Sequence, residues 1–243
     1  MSWLYADQGN SRIKWRLSRG DQTVAGVALT PDELAETLRS AGAWPTGVAL
    51  ASVASDAGLQ RWEKAFSGCR FWYAQVRKTL QGLKVAYSRP DTLGVDRWLA
   101  MAGGWQCYRG QAYAVVDAGT AITFDVVAAD GEHLGGWIAP GVRLLTQAVE
   151  SGMARVQSAA PNLAAGLGRN TQACVAAGLG VQLAGMIREA EAYLAERRIR
   201  RLLLTGGDAL LLKGACRGNV ECIHVPDLVL DGLEWVHRVE MPE

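Results

Sequence analysis

Asp7-Gln8-Gly9-Asn10-Ser11-Arg12-Ile13-Lys14, near the amino end of the chain, is the most informative segment for the fold. The apolar run before it, residues 3–6, predicts a short strand, and the alternation of apolar and polar residues over 13–17 predicts a second. A turn between them can aim consecutive backbone N–H groups at an anion. Ser11 adds a hydroxyl, Lys14 a positive charge and Asp7 a carboxylate for a metal-bound water. Taken alone, the stretch is better explained as an ordinary Asn/Gly hairpin turn.

A second copy of the turn changes that interpretation. Asp117-Ala118-Gly119-Thr120 repeats the Asp-x-Gly-[Asn/Thr] pattern between two predicted strands, residues 113–116 and 124–127. Each copy opens a three-strand meander followed by helices and strands. We therefore predict an internal duplication: an α/β fold of two tandem domains, residues 1–111 and 112–243, each with a mixed five-stranded sheet and flanking helices. Two such halves facing each other would place both turns in one cleft.

Periodicity and capping signals predict the elements between the turns. Ser55 is a candidate cap for the helix that follows it, and residues 83–94 are predicted to be irregular. A helix is predicted over 95–102, followed by a connection over 104–110. A long helix is predicted from about 171 to 198, with apolar residues spaced by threes and fours.

Composition excludes several classes of protein. The 243 residues are 49% hydrophobic and 20% charged, which is enough apolar material for a core. A net charge of +1 without a basic block does not favour nucleic acid as a partner, and no apolar run is long enough to span a membrane. The odd, scattered cysteines predict reduced thiols in a cytoplasmic protein without a zinc site. They are Cys69, Cys107, Cys174, Cys216 and Cys222.

Several motifs together resemble known families. They are Asp7-x-Gly9-Asn10-Ser11, Tyr87-x-x-Pro90-x-x-Leu93-Gly94-x-Asp96-Arg97, Asp117-x-Gly119-Thr120-Ala121-x-Thr123, Gly135-Gly136-x-Ile138-x-Pro140-Gly141, Gly168-x-Asn170-Thr171 and Gly206-Gly207. The two Asp-x-Gly turns and the late Gly-Gly turn look like the acetate and sugar kinase, Hsp70 and actin superfamily, whose domains are ribonuclease H-like. The whole set, from residue 4 to about 232, resembles the type III pantothenate kinase family.

The resemblance implies ATP-dependent phosphorylation of pantothenate to 4′-phosphopantothenate, the first step of coenzyme A biosynthesis. The implied ATP-binding residues are Asp7, Gln8, Gly9, Asn10, Ser11, Arg12, Ile13, Lys14, Thr120, Gly206 and Gly207. Asp7 would orient Mg²⁺ through water, because Mg²⁺ keeps several waters in nucleotide sites. Asp117 would help to bind a monovalent cation, K⁺ or NH₄⁺; its simpler interpretation is a plain turn carboxylate.

The resemblance also implies an acceptor site. Asp96 would be the general base, and its place in the first turn of a helix favours the charged form. Arg97 would bind the substrate carboxylate, for which guanidinium geometry is suited. The other implied pantothenate-binding residues are Tyr87, Gly94, Val95 and Thr171. The simpler interpretations are that Asp96 is a good first-turn residue and Thr171 an ordinary helix cap.

The resemblance also implies an oligomeric state, and the sequence leaves alternative functions open. In the family the long helix forms a dimer interface and the partner subunit completes the acceptor site, so a homodimer is expected. Two other functions stay open: a nucleotide-gated binding protein of the Hsp70/actin kind, and a related kinase with a different small acceptor. The short chain argues against the first, because nothing is left for a substrate-binding or polymerising subdomain.

Overall fold

The computed structural model describes residues 2–20, 22–52, 56–153, 159–164, 166–218 and 220–242. The chain forms two compact units, the first unit comprising Met1–Cys107 with Leu228–Glu243 and the second comprising Tyr108–Asp227. The sequence predicts a single boundary at residues 111/112. The compact units divide after Cys107 and again before Leu228, because the last helix belongs to the first unit. Ser55, the candidate cap, lies outside the described residues.

The first unit is built on a mixed sheet. Its elements are β1 (Ser2–Gln8), β2 (Ile13–Arg19), β3 (Gln22–Ala28), α1 (Pro31–Ser40), β4 (Gly47–Ser52), α2 (Asp56–Ala65), β5 (Arg70–Tyr73), β6 (Thr79–Leu80), β7 (Leu83–Lys84), α3 (Val95–Tyr108) and α7 (Leu228–Glu240). The strand order is β3-β2-β1-β4-β5, with the meander antiparallel and β1, β4 and β5 parallel.

The second unit repeats this arrangement. Its elements are β8 (Tyr113–Ala118), β9 (Ala121–Val127), β10 (His133–Pro140), α4 (Val142–Gly152), α5 (Thr171–Glu196), β11 (Arg201–Thr205), α6 (Ala209–Lys213) and β12 (Glu221–His224). The strand order β10-β9-β8-β11-β12 matches the first sheet position by position. The predicted fold of two tandem ribonuclease H-like domains is therefore confirmed. Within the described residues, no helix has the length and apolar character that crossing a membrane requires.

One local prediction is wrong and another is incomplete. The connection expected over 104–110 is mostly helix, since α3 continues to Tyr108. Gly103 and Gly104 lie inside the helix, and a Cβ on Gly103 would lie 3.0 Å from the side chain of Leu228 and 3.2 Å from the backbone nitrogen of Gly232. Residues 83–94 are mostly irregular, as predicted, but they also hold β7, which pairs with β6, and a 3-10 turn at Pro90–Thr92. Strands of two residues leave no periodic signal in a sequence.

Helix α7 is anchored to the first sheet by charge and by aromatic packing. Arg16 on β2 forms ion pairs with Asp231 at 2.8 Å and Glu234 at 3.1 Å. His237 is 3% exposed, and its ring lies 4.1 Å from that of Trp3, measured between centroids. Burial lowers the pKa of His237 below its ordinary value, so the ring is neutral near pH 7.

Helices α3 and α7 cross at a contact between glycines. A Cβ placed on Gly232 would lie 2.8 Å from the carbonyl carbon of Leu99 and 2.9 Å from the backbone nitrogen of Gly103. Both distances are too short for non-bonded atoms. The crossing therefore depends on the absence of a side chain at this position.

Replacing Gly232 with Ala is expected to lower the free energy of unfolding by about 1–3 kcal/mol, the usual cost of overpacking a core. Chemical denaturation measures this loss. Gly185→Ala in α5 is the matched control, because its Cβ would meet only the guanidinium of Arg188 at 3.7 Å. Alanine is the better helix former, so the control should be as stable as the parent or more stable. Equal unfolding free energies for the two variants would contradict the close crossing.

Candidate active site

The first Asp-x-Gly turn connects β1 to β2. Asp7 and Lys14 face each other in the antiparallel register, and the Gly9 N–H donates to the carbonyl of Arg12 at 3.1 Å. The exposed residues Asn10 and Ser11 form the tip. The commonest two-residue hairpin turns need a positive φ at the tip, and neither residue has one. The connection is therefore a hairpin of neither the I′ nor the II′ type.

Two residues of the motif face inward and fix the turn. The side-chain oxygen of Gln8 accepts hydrogen bonds from the indole N–H of Trp62 at 2.6 Å and from the hydroxyl of Ser52 at 3.3 Å. Ile13 is 1% exposed and belongs to the core of the first unit. These side chains hold the turn at the carboxyl end of β1, where open α/β sheets bind ligands. Arg12 is exposed beside the tip.

The motif predicted to bind the acceptor surrounds the start of α3 in the same unit. Arg97 is 5% exposed, and its guanidinium donates to the hydroxyl of Tyr87 at 3.0 Å. The ammonium of Lys78 holds the segment by donating to the carbonyls of Val85 at 2.7 Å and Tyr87 at 2.9 Å. The structure thus brings a buried guanidinium and a phenol together next to Asp96.

Asp96 is half-buried in the first turn of α3, which begins at Val95. Its Oδ1 atom accepts the backbone N–H of Arg97 at 2.8 Å. A Cβ on Gly94 would lie 2.6 Å from that oxygen. Glycine at 94 is therefore what leaves room for the carboxylate.

The second Asp-x-Gly turn lies beside the Gly-Gly turn. Thr205 at the end of β11 is in register with Asp117 at the end of β8. Gly206 has a φ of +91°, and a Cβ there would collide with the Asp117 carboxylate and lie 2.5 Å from the carbonyl oxygen of Ala118. The N–H of Asp208 donates to the same carbonyl at 3.0 Å. The predicted cation-binding acid, Asp117, and the predicted adenosine turn, Gly206-Gly207, therefore lie together at the carboxyl ends of β8 and β11.

The end of β10 closes on the second turn. The Gly119 N–H donates to the carbonyl of Ala121 at 3.0 Å, and the Gly141 N–H donates to the carbonyl of Thr120 at 3.0 Å. A Cβ on Gly141 would lie 3.0 Å from the Thr120 carbonyl carbon. This contact explains why glycine, which has no Cβ, directly follows β10. Thr120 itself is half-buried at the turn.

Thr171 is the first residue of α5, and it is not the cap. Asn170 caps the helix, its side-chain oxygen accepting the N–H of Ala173 at 2.8 Å. Thr171 is exposed and lines a cavity of about 390 Å³ between α4 and α5. The other lining residues are Val149, Met153, Cys174, Val175, Gly178, Leu179 and Gln182. Sequence reasoning missed this cavity, because apolar residues at helical spacing read as ordinary core.

The fold and these turns define a class of protein. Two sheets of identical strand order, each with an Asp-x-Gly turn after its first strand, are the arrangement of actin-like ATPases and sugar kinases. The solved structure of the ethanolamine utilization protein EutJ from Carboxydothermus hydrogenoformans has this fold. It superposes with a TM-score of 0.53 at 12% identity, covering 96% of this chain and 89% of its own.

Sequence comparison identifies the family. The profile described as type III pantothenate kinase matches residues 3–192. Proteins of that name from Ectopseudomonas mendocina and Cellvibrio japonicus are 38% and 33% identical to this chain. The alignments cover 95% of this chain in both cases, and 96% and 95% of the relatives. The chain belongs to the type III pantothenate kinase family.

Proposed function

We propose that this chain transfers the γ-phosphoryl group of ATP to pantothenate, forming 4′-phosphopantothenate for coenzyme A biosynthesis. The observation that carries the proposal is the start of α3. There the half-buried Asp96 carboxylate adjoins the buried Arg97 guanidinium, itself bonded to Tyr87. A nucleotide-gated binding protein without a small acceptor has no use for this pair. Family membership supports the same substrate.

Asp96 acts as the general base in this proposal. It accepts the proton of the pantothenate hydroxyl as that oxygen attacks the γ-phosphorus and the bond to the ADP oxygen breaks. Arg97 holds the pantothenate carboxylate, and because the guanidinium is buried the ion pair is little weakened by water. Tyr87 fixes the orientation of Arg97, and Gly94 and Val95 bring the backbone close to the acceptor. Phosphoryl transfer asks for this positioning more than for covalent help.

The two turns bind ATP in this proposal. The backbone N–H groups of Gly9 to Ser11 and the ammonium of Lys14 supply positive potential to the phosphates, and Thr120 adds a hydroxyl. Gly206 and Gly207 lie against the adenosine.

Cations fit the donors of both turns. Asp7 offers a single carboxylate, which suits a Mg²⁺ ion that keeps most of its waters, and Asp117 offers a carboxylate next to the carbonyl of Ala118, which suits K⁺ or NH₄⁺. Bound Mg²⁺ would neutralise phosphate charge.

A coupled assay of ADP release tests the proposal. We expect release that requires pantothenate together with Mg²⁺ and K⁺ or NH₄⁺. Absence of pantothenate-dependent release under these conditions would exclude the proposal. Pantothenate-independent ATP hydrolysis would favour the Hsp70/actin alternative, and release with another small alcohol only would favour a related kinase.

The proposal includes a homodimer in the cytoplasm, with α5 at the interface and the acceptor site completed by the partner. Val181 on α5 is 59% exposed and Met153 beside the cavity is 52% exposed, which supports a covered surface there. All five cysteines are free thiols, as in a reducing compartment. The same assay over a dilution series tests the dimer. Turnover per chain should fall with dilution, whereas a constant value accompanied by monomeric sedimentation would exclude it.

A further inference from the structure

A buried carboxylate lies on the apolar face of α5. Glu191 is 1% exposed, one helical turn from Ile187 and next to Ala190, both in the core of the second unit. Burying an ionised carboxylate is costly unless it is paired or binds a metal. The phosphoryl-transfer site makes no use of Glu191.

In the described part of the chain, Glu191 hydrogen-bonds with uncharged groups. The backbone N–H of Arg217 donates to both carboxylate oxygens, at 3.0 and 3.1 Å. The sulfur of Cys222 lies 4.0 Å from Oε1. The thiols of Cys216 and Cys222 are in hydrogen-bond contact with each other. The exposed Lys213 acts on both thiols electrostatically and favours their ionised forms.

We propose that Glu191, Cys216 and Cys222 bind a divalent cation of the Zn²⁺ class. One ligand atom from each residue lies within 4.8 Å of the other two. Zn²⁺ bonds of roughly 2.3 Å to sulfur and 2.0–2.2 Å to oxygen bring tetrahedral ligands somewhat closer together than this, so a small inward rotation of the side chains closes the site. The half-exposed cysteines leave the fourth position to water.

The surroundings suit a metal ion. The hydrogen bonds from Arg217 already orient the carboxylate, which is the part that outer partners play around metal ligands. A cation would also compensate the buried negative charge. The ion would connect three elements: α5, the segment that follows α6, and β12. It would therefore attach the edge strand β12 of the second sheet to the long helix α5.

Titration of the reduced full-length protein with Co²⁺ tests this site. We expect one ion per chain, with thiolate-to-cobalt charge-transfer absorbance that added Zn²⁺ removes. Cys216→Ser and Cys222→Ser should each weaken binding by at least about tenfold. Cys107→Ser and Cys174→Ser are the matched controls and should bind as the parent does, since both thiols are exposed and outside the cluster. Binding that survives in Cys216→Ser and Cys222→Ser would overturn the proposal.

Alkylation of the unaltered protein keeps the test decisive if a variant fails to fold. Zn²⁺ should protect Cys216 and Cys222 from iodoacetamide, as read by peptide mass spectrometry, and leave Cys107 reactive. Equal alkylation of the pair with and without Zn²⁺ would overturn the proposal. Neither measurement depends on pantothenate turnover, so the metal site and the proposed function stand or fall separately.

Discussion

Replacing Asp96 with Asn is expected to lower kcat for pantothenate phosphorylation by about 10²–10⁴-fold, the usual contribution of a general base. An amide cannot accept the proton of the attacking hydroxyl. Its oxygen can still accept the Arg97 N–H that the carboxylate accepts at 2.8 Å, so the start of α3 should stay intact. Steady-state ADP release measures the loss, and calorimetry with a non-hydrolysable ATP analogue should show nearly unchanged binding.

The matched control for this variant is Asp91→Asn. Asp91 lies five positions earlier in the 3-10 turn, is exposed and pairs only at the surface with Arg89, at 2.9 Å. Surface ion pairs contribute little, so the control should turn over at the parent rate. If Asp96→Asn kept the parent rate, Asp96 would not be the base. An equal loss of kcat in both variants would mean that turnover depends on the negative charge of residues 91–96 and not on proton transfer to Asp96.

Replacing Gly206 with Ala is expected to weaken nucleotide binding by tenfold or more and to destabilise the second unit. A left-handed backbone costs a non-glycine residue roughly 1–2 kcal/mol. The new Cβ would also collide with the Asp117 carboxylate and the Ala118 carbonyl, and overpacking of this kind costs about 1–3 kcal/mol more. Relief of the collision must displace the Gly-Gly turn or Asp117, and about 1.4 kcal/mol already amounts to a tenfold change in affinity. Calorimetry with the ATP analogue and chemical denaturation measure both effects.

Gly110→Ala separates the two causes. Gly110 has a φ of +81°, close to that of Gly206, but nothing lies within 4 Å of a Cβ there. Gly110→Ala should therefore lose only the roughly 1–2 kcal/mol of stability that a left-handed backbone costs, and should bind nucleotide as the parent does. If Gly206→Ala bound nucleotide as well as Gly110→Ala, the Gly-Gly turn would not contribute to the nucleotide site.

Local signals were sufficient to predict the duplicated architecture. The Asp-x-Gly turns follow short apolar strands in both halves, and a pattern that occurs twice at matching positions constrains the fold far more than either copy does. The start of α3 could also be predicted from the sequence, since only Val95 separates Gly94 from Asp96. The roles assigned to Asp7, Asp96, Asp117 and Thr171 remain predictions, and Asp96→Asn tests the one on which the chemistry depends.

Contacts between distant parts of the chain could not be predicted. Gly103 reads as a helix breaker until Gly232, far along the chain, is seen to occupy the space beside it. The cysteine spacing indicated no zinc site, and the proposed site departs from that expectation because its third ligand, Glu191, comes from α5. One signal was present: Glu191 interrupts an apolar stripe, four residues after Ile187 and three before Leu194.

The return of α7 to the first unit has a consequence for protein synthesis. The second unit is inserted between two parts of the first, so the ribosome completes Tyr108–Asp227 before it releases the helix that covers the first sheet. Until Leu228–Glu240 emerges, the surface that packs against Leu233 and Val236 stays open to water and to other nascent chains. The second unit, although it is synthesised later than Met1–Cys107, should therefore reach its native state before the first unit does. Holdase chaperones should bind the first unit during that interval.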